Sequence, residues 1–222
     1  MLALQGSALR WAVGDGPITL QDGSSIDEES VLELCEDIGT YEIDMDGAAF
    51  TLERVGSRYC SVDDVRLYGE RNNDAFDRFD DDQIADAIQQ AEEIIDSACS
   101  RRFCRSSINA WVRDGMTELP VQDVVSVEGA TVVNGRQCYS DHEHDAVIVY
   151  GAKPSARLRA AAVKLAASII RPRVGAENAR GTSMDGVFIS FTLPDGTDGS
   201  WTGIPDVDAF IELNRSKRKL VG

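Results

Sequence analysis

Lysine and histidine are scarce in this chain of 222 residues. It has four lysines and two histidines, and 38 acidic residues against 22 lysines and arginines give a net charge of −16. Proteins hold the nucleic-acid backbone mainly through lysine and arginine, which displace its counterions. The composition therefore argues against a protein that wraps nucleic acid, and we expect DNA to be repelled.

Long apolar runs are also missing. A membrane-spanning helix needs about 18 consecutive apolar residues, and no stretch approaches that length. The first residues, MLALQGSALRWAV, have neither the continuous apolar segment nor the cleavage site of a secretory signal. We therefore expect a chain made in the cytoplasm, without a membrane partner, whose 43% hydrophobic content can bury a core.

Residues that could carry catalysis or bind metal are few. The five cysteines form no C-x-x-C pair, so we expect reduced, buried thiols. Between Asp141 and Asp145, His142, Glu143 and His144 could hold a metal ion, but a polar turn before a strand at Ala146 is the favoured interpretation. Incomplete calcium-loop patterns, interpreted as turns, lie at Asp44, Asp46 and Gly47 and at Asp195, Gly196, Asp198 and Gly199. With no phosphate-binding loop or nucleophile elbow, the sequence predicts no enzyme, no cofactor and no metal site.

Residues 1–58 are predicted to form a β-rich extension. Short apolar stretches are separated by the turn dipeptides Asp22-Gly23 and Asp46-Gly47, a pattern typical of hairpins. A short helix is expected over residues 27–35, because Val31 and Cys35 share one helical face.

From residue 61 onward the pattern becomes helical. A capping box of Ser61 and Asp64 starts the first helix, which Gly69 should end. The second is the strongest element of the chain, because isoleucines and alanines follow three aspartates at steps of three and four residues. Arg101 and Arg102 should close its last turn, where cations complement the helix dipole.

Two further helices and a small sheet complete the chain. An alanine-rich helix is expected after Pro154 and a closing helix from Pro205. Residues 175–186 predict an exposed loop and residues 187–193 a strand. A small sheet or pair of hairpins is predicted from apolar runs at 108–112, 124–127, 131–133 and 146–150. The predicted fold class is α+β: a mainly helical core of about four helices over residues 59–222, with the small sheet or hairpins, plus the extension.

Three stretches of the predicted core follow one another in a recognisable order. The first is Tyr59-Cys60-Ser61-Val62-Asp63-Asp64-Val65-Arg66, an aromatic residue leading into a capped helix. The second lies in residues 84–104 and comprises Ala87, Ala91, Ile94, Ile95, Asp96, Cys99, Arg101 and Phe103. The third is Thr202-Gly203-Ile204-Pro205-Asp206-Val207-Asp208. Together they resemble the head-to-tail connector family, the head completion adaptors of tailed phages and related archaeal viruses, over about three quarters of the chain.

The resemblance implies a structural protein of the virion neck. Members form a ring, here expected to be dodecameric, that joins the portal protein to a tail-side stopper or tail terminator and extends the channel through which DNA passes without specific binding. Portal contacts are then predicted on the closing helix and tail, at Val207, Phe210, Ile211, Arg215, Lys217, Arg218 and Lys219. Contacts with sister subunits or the lumen are predicted at Ile84, Ile88, Ile95, Phe188 and Phe191.

Two other classes of protein stay open. The acidity also suits a monomeric or dimeric regulatory module that occupies a basic partner surface, and an acidic enzyme ranks third. Particle size separates the first two classes, since an adaptor forms rings, at least on a portal, whereas a small module does not.

The acidic surface predicts a salt response. Of the acids, 24 are aspartates, and many short acidic side chains with few lysines are typical of proteins kept soluble in concentrated salt, where charge repulsion is screened. If the host is halophilic, the thermal midpoint measured by circular dichroism should rise in molar KCl. A midpoint that does not rise would instead indicate an ordinary acidic protein.

Overall fold

A computed structural model describes residues 2–3, 8–20, 22–45, 48–71, 76, 78–170 and 201–215. The chain divides into two compact units, and each unit gathers two separate stretches of sequence. Met1–Arg58 and Arg101–Pro154 form the first, called here the β unit, and Tyr59–Ser100 and Ser155–Gly222 form the second, called the helical unit. The chain therefore passes from one unit to the other after Arg58, Ser100 and Pro154.

All the strands of the described residues lie in the β unit. In its first stretch the elements are β1 (Leu2–Ala3), β2 (Ala8–Trp11), β3 (Ile18–Leu20), β4 (Ser25–Ile26), α1 (Glu28–Leu34), β5 (Gly39–Met45) and β6 (Ala48–Arg54). In its second stretch they are β7 (Ser106–Val112), β8 (Gly115–Glu118), β9 (Val124–Val127), β10 (Thr131–Asn134), β11 (Gln137–Ser140) and β12 (His144–Tyr150). The helical unit holds α2 (Val62–Arg71), α3 (Asp81–Cys99), α4 (Ala156–Ile170) and α5 (Pro205–Asn214).

The predicted hairpins of the first stretch are present. β3 pairs with β4 and β5 with β6, both antiparallel. Two parallel pairings, β1 with β3 and β2 with β6, were not predicted. They join residues more than forty positions apart in the case of Ala8 and Thr51, and no local pattern in the sequence marks such partners.

The second stretch forms two three-stranded antiparallel sheets, in the orders β7-β12-β9 and β10-β11-β8. Alternate residues of both sheets share one apolar cluster, formed by Val112, Leu119, Val124, Val127, Cys138, Ala146 and Ile148. After β12, Gly151 has a φ of +90°, and a Cβ there would lie 1.9 Å from the carbonyl oxygen of Cys104. Only glycine fits this close approach, which lets the chain leave the sheet.

In the helical unit, the helix starts follow the prediction, but the end of α2 does not. Asp80 and Gln83 form a reciprocal capping box at the start of α3, and Ser61 and Asp64 form another before α2. Gly69 was expected to end α2, but it is buried inside a helix that continues to Arg71. No helix in the described part of the chain is long and apolar enough to cross a membrane.

The predicted mainly helical core is wrong. Of the described residues, 36% are helical and 31% are in strands, distributed over four small sheets. β8 and β11 were missed altogether, because neither contains an apolar run like those that marked β9 and β10. Their hydrogen bonds turn the expected small sheet into a two-sheet structure. The division into an extension at residues 1–58 and a core at 59–222 stays a prediction.

The residue that follows α3 has a strained backbone conformation, and this strain can be tested. Ser100 has φ 50° and ψ 40°, the left-handed conformation in which a Cβ is unfavourable. Ser100→Gly should therefore raise the free energy of unfolding by about 0.5–1 kcal/mol, measured by urea denaturation. Ser97→Gly is the control: it removes the same side chain from an exposed position inside the helix and should lower stability by about 1 kcal/mol. Equal effects of the two changes would contradict the interpretation.

Candidate functional site

The predicted subunit contacts on α3 lie in the core of the helical unit. Ile84, Ile88 and Ile95 are buried to 2% exposure or less, on a helix that contacts α4 and α5. Their apolar stripe is thus covered by helices of the same chain, and an additional role between subunits stays a prediction. Phe188 and Phe191 lie outside the described residues.

The predicted portal contacts divide into a buried and an outer group. Val207, Phe210 and Ile211 are buried on α5, which contacts α4 and α3. Arg215 is half exposed immediately after the helix, while Lys217, Arg218 and Lys219 lie outside the described residues. The apolar face of α5 therefore holds the helix in its own unit, while Arg215 is accessible to a partner.

The segment before α5 is pinned to the first turn of the helix. Asp208 Oδ1 accepts hydrogen bonds from the backbone N–H of Trp201 at 3.1 Å, from the N–H of Thr202 at 2.7 Å and from the Thr202 hydroxyl at 2.8 Å. Ile204 occupies the N-cap position without a side-chain hydrogen bond. Asp208 instead reaches back from the first turn of the helix and fixes the two residues Trp201 and Thr202 that precede it. This is the third stretch on which the sequence resemblance rests.

Trp201 also reaches the far end of the same helix. Its indole N–H donates to Glu212 Oε1 at 2.7 Å, and the guanidinium of Arg215 lies 5.1 Å from the centre of its ring. Arg215 is also 3.3 Å from Glu212 Oε1, and Leu213 beside it is 74% exposed. Trp201, Glu212, Leu213 and Arg215, called here the C-terminal surface, thus combine apolar area with a fixed cation at the point where the basic tail begins.

An ionic network in the β unit was not predicted. Glu53 accepts a hydrogen bond from the Ser106 hydroxyl at 2.9 Å, lies 3.4 Å from Arg10 Nε, and pairs with Arg102. Arg10 is 5% exposed, so its charge needs this partner. The network joins β2, β6, the start of β7 and the segment before it. Its residues are too far apart in sequence to form a local motif.

Arg101 and Arg102 were expected to close α3, and this prediction is wrong. The helix ends at Cys99, and both arginines belong to the β unit. Arg101 forms a bidentate pair with Asp123, with nitrogen to oxygen distances of 2.5 and 3.1 Å. A carboxylate partner offers each guanidinium more hydrogen-bond energy than the end of a helix dipole does.

The two histidines lie next to each other, and His144 contacts backbone carbonyl oxygens. His144 begins β12, two residues before the predicted start of the strand, and its ring lies 4.8 Å from that of His142. Nε2 of His144 is 2.8 Å from the carbonyl oxygen of Glu128, and Nδ1 is 3.2 Å from that of His142. Both nitrogens face carbonyl oxygens, so neither directs a lone pair at a metal ion. Within the described ranges, no cluster of three or more ligand-type side chains could hold a metal.

The structure locates the five cysteines and one residue of the incomplete calcium-loop patterns. All five cysteines are buried free thiols, as predicted, and burial raises the pKa of Cys35 and Cys138. Asp44 lies in β5, while Asp46, Gly47, Asp195, Gly196, Asp198 and Gly199 lie outside the described residues.

Comparison with known proteins gives structural neighbours only. No family model and no curated protein matches the chain. A chain from the neck of an empty gene transfer agent particle, computed with C6 symmetry, is similar with a TM-score of 0.44 and 18% identity, over 72% of this chain and 91% of that chain. A chain from the virion of a native gene transfer agent particle is similar with a TM-score of 0.42 and 19% identity, over 72% of this chain and 89% of that chain.

The role of Asp208 can be tested by removing its carboxylate. Asp208→Ala leaves three donors without their shared acceptor, so the free energy of unfolding should fall by about 1–2 kcal/mol in urea denaturation. Asp63→Ala is the control, because it removes the same charge from an exposed position in the first turn of α2. That change should stay within about 0.5 kcal/mol of the parent. A loss at Asp208 no larger than at Asp63 would refute its role in holding the segment before α5.

Proposed function

We propose that the chain is a structural subunit of a virion neck, which assembles with copies of itself into a ring between the portal and the tail and has no catalytic role. One observation carries the proposal: each of the three stretches that resemble the head-to-tail connector family contributes residues that hold the helical unit together, among them Tyr59, Ile95 and Asp208. The resemblance therefore involves residues that determine this fold rather than unrelated surface positions.

The first and second stretches meet at Tyr59. This residue is almost completely buried, its backbone N–H donates to Glu92 Oε1 at 2.7 Å, and its hydroxyl donates to Asp96. Glu92 itself has 0% exposure, and a buried carboxylate is costly unless hydrogen bonds satisfy it. Tyr59 and α3 thus depend on each other, and this explains why an aromatic residue precedes the capped helix in the first stretch.

Assembly into a ring requires contacts between different surfaces of neighbouring copies. The stripe on α3 is covered within the chain, so we propose that other apolar surfaces make these contacts. Two pairs of apolar residues lie on the outer faces of the sheets β10-β11-β8 and β7-β12-β9. Met116 lies opposite Tyr139, and Val147 is a diagonal neighbour of Trp111. All four are at least 40% exposed, which makes them candidates for contact with sister subunits.

The net charge fits a channel. If part of the charge of −16 faces the lumen, it repels the phosphates and lets DNA slide without adhering. The aspartate-rich surface also suits a halophilic host. A monomeric or dimeric acidic binding module remains the alternative function, because the same charge would attract a basic partner.

We further propose that the C-terminal surface and the basic tail dock on the portal. Arg215 continues into Lys217, Arg218 and Lys219 in a chain with few lysines. Such a cluster selects an acidic partner surface, and the exposed Leu213 adds apolar area to the contact. On this proposal Val207, Phe210 and Ile211 serve docking by holding α5 in place.

Truncation of the tail tests this docking. Deleting residues 216–222 keeps every contact described for α5, so the thermal midpoint should stay unchanged. Loss of three exposed ion pairs, at about 0.5 kcal/mol each, should weaken binding to isolated portal rings roughly tenfold, measured by biolayer interferometry at moderate salt. Neutralising the exposed Arg105, Arg113 and Arg136 to glutamine is the control, since it removes three cations from the β unit and should leave binding unchanged.

The outcomes separate the two levels of the proposal. Unchanged affinity of the truncated chain would overturn tail docking and leave the neck function standing. A full-length chain that shows neither rings on portal particles by negative-stain microscopy nor any affinity for them would overturn the neck function itself.

A further inference from the structure

We propose that His144 is a proton-operated latch in the β unit: its ring joins the start of β12 to the turn between β9 and β10, and only its doubly protonated form also holds the segment before β12. This inference is independent of the proposed neck function. It rests on the position of the imidazole between two carbonyl oxygens that belong to different segments of the chain.

The ring bridges a long gap in sequence. Its Nε2 lies 2.8 Å from the carbonyl oxygen of Glu128, sixteen residues earlier, and its Nδ1 lies 3.2 Å from the carbonyl oxygen of His142. A carbonyl oxygen accepts hydrogen bonds and cannot donate them. Both contacts are therefore hydrogen bonds only when both ring nitrogens carry a proton.

Gly129 shows that the backbone is shaped around this ring. Its φ is +67°, and a Cβ at this position would lie 2.6 Å from Nε2 of His144, with two carbon atoms of the ring at 3.3 Å. Glycine is therefore needed both for the left-handed turn and for the close approach of the imidazole. A ring that merely rested on the surface would not require such a fit.

Loss of a proton removes one of the two hydrogen bonds. Neutral imidazole has one N–H, so one nitrogen must then direct a lone pair at a carbonyl oxygen. The shorter contact to Glu128 favours retention of the proton on Nε2, which places the repulsion at Nδ1 and His142. The segment before β12 is therefore the part that loosens first.

The surrounding charges act in the same direction. Hydrogen bonding to the carbonyl oxygens of Glu128 and His142 raises the pKa of His144, burial opposes this rise, and the negative charges of Glu128 and Asp145 add to it. In sequence, Asp141 precedes the two histidines and Glu143 lies between them, and the His142 ring centre is 4.8 Å from that of His144. Because the folded pKa exceeds the unfolded one, the stabilisation is complete below the unfolded value and is lost as pH rises through the folded value.

Two backbone hydrogen bonds also hold the turn between β9 and β10. The N–H of Glu128 donates to the carbonyl oxygen of Val147 at 3.0 Å, and the N–H of Ala130 reaches that of Val127 only at 3.4 Å. Because Nε2 keeps its proton, this turn stays tied to β12 in both protonation states. The change is confined to the segment before β12, which links the sheet β10-β11-β8 to the sheet β7-β12-β9. The order of this link therefore depends on pH.

Nuclear magnetic resonance tests the latch directly, because the chain has two histidines. The imidazole signals of the full chain are assigned with a His142→Gln variant and titrated in the native state and in urea. We expect His144 to titrate at a higher pH in the native chain than in the unfolded chain. A native pKa equal to or below the unfolded value would overturn the proposal.

Stability measurements provide a second test of the latch. Glutamine does not titrate, so the thermal midpoint of the parent should exceed that of His144→Gln most in acid, and the difference should shrink as pH rises through the native pKa. His142→Gln is the matched control and should follow the pH dependence of the parent. A difference between the parent and His144→Gln that stays constant with pH would show that the ring has only a packing role.

Discussion

The apolar face of α3 is the constraint on which the helical unit depends. Full burial of an isoleucine contributes about 1.5–3 kcal/mol, and Ile84, Ile88 and Ile95 are all buried on this face. The small side chains of the alanine-rich α4 allow a close approach, and α5 adds Val207, Phe210 and Ile211. Since the chain covers its own stripe, the contacts proposed with copies and with a portal are assigned to other, exposed surfaces.

Buried charges then make the packing specific. Glu92 is tolerated in the helical unit because Tyr59 donates its backbone N–H, and Arg10 in the β unit because Glu53 lies beside it. Removing one partner of such a pair leaves an uncompensated charge, which costs more than the pair contributes. These contacts join segments that are distant in sequence, and the pairing of Glu53 with Arg102 also connects the two separate stretches of the β unit.

Much of the local structure was predictable from sequence. The capping residues Asp80 and Ser61, the turn glycines and the three- and four-residue steps of α3 depend on neighbours within a few positions, so the sequence displays them directly. β8 and β11 were missed because their stability comes from paired strands and not from their own composition. The resemblance to connector proteins was likewise carried by local motifs, whereas the C-terminal surface became visible only when Trp201 was placed against Glu212 and Arg215.

By itself, the sequence determined where helices begin, which of their faces are apolar and how acidic the surface is, because these properties belong to single residues and their neighbours along the chain. Only the tertiary structure decided what covers the apolar faces, which strands pair in parallel and which carboxylates meet Arg10, Arg101 and Arg102. The periodicity of apolar residues shows that one face of a helix must be buried, but it does not show which element covers that face. That choice depends on how distant segments fit together in space, which is settled by the energy of the whole packed chain.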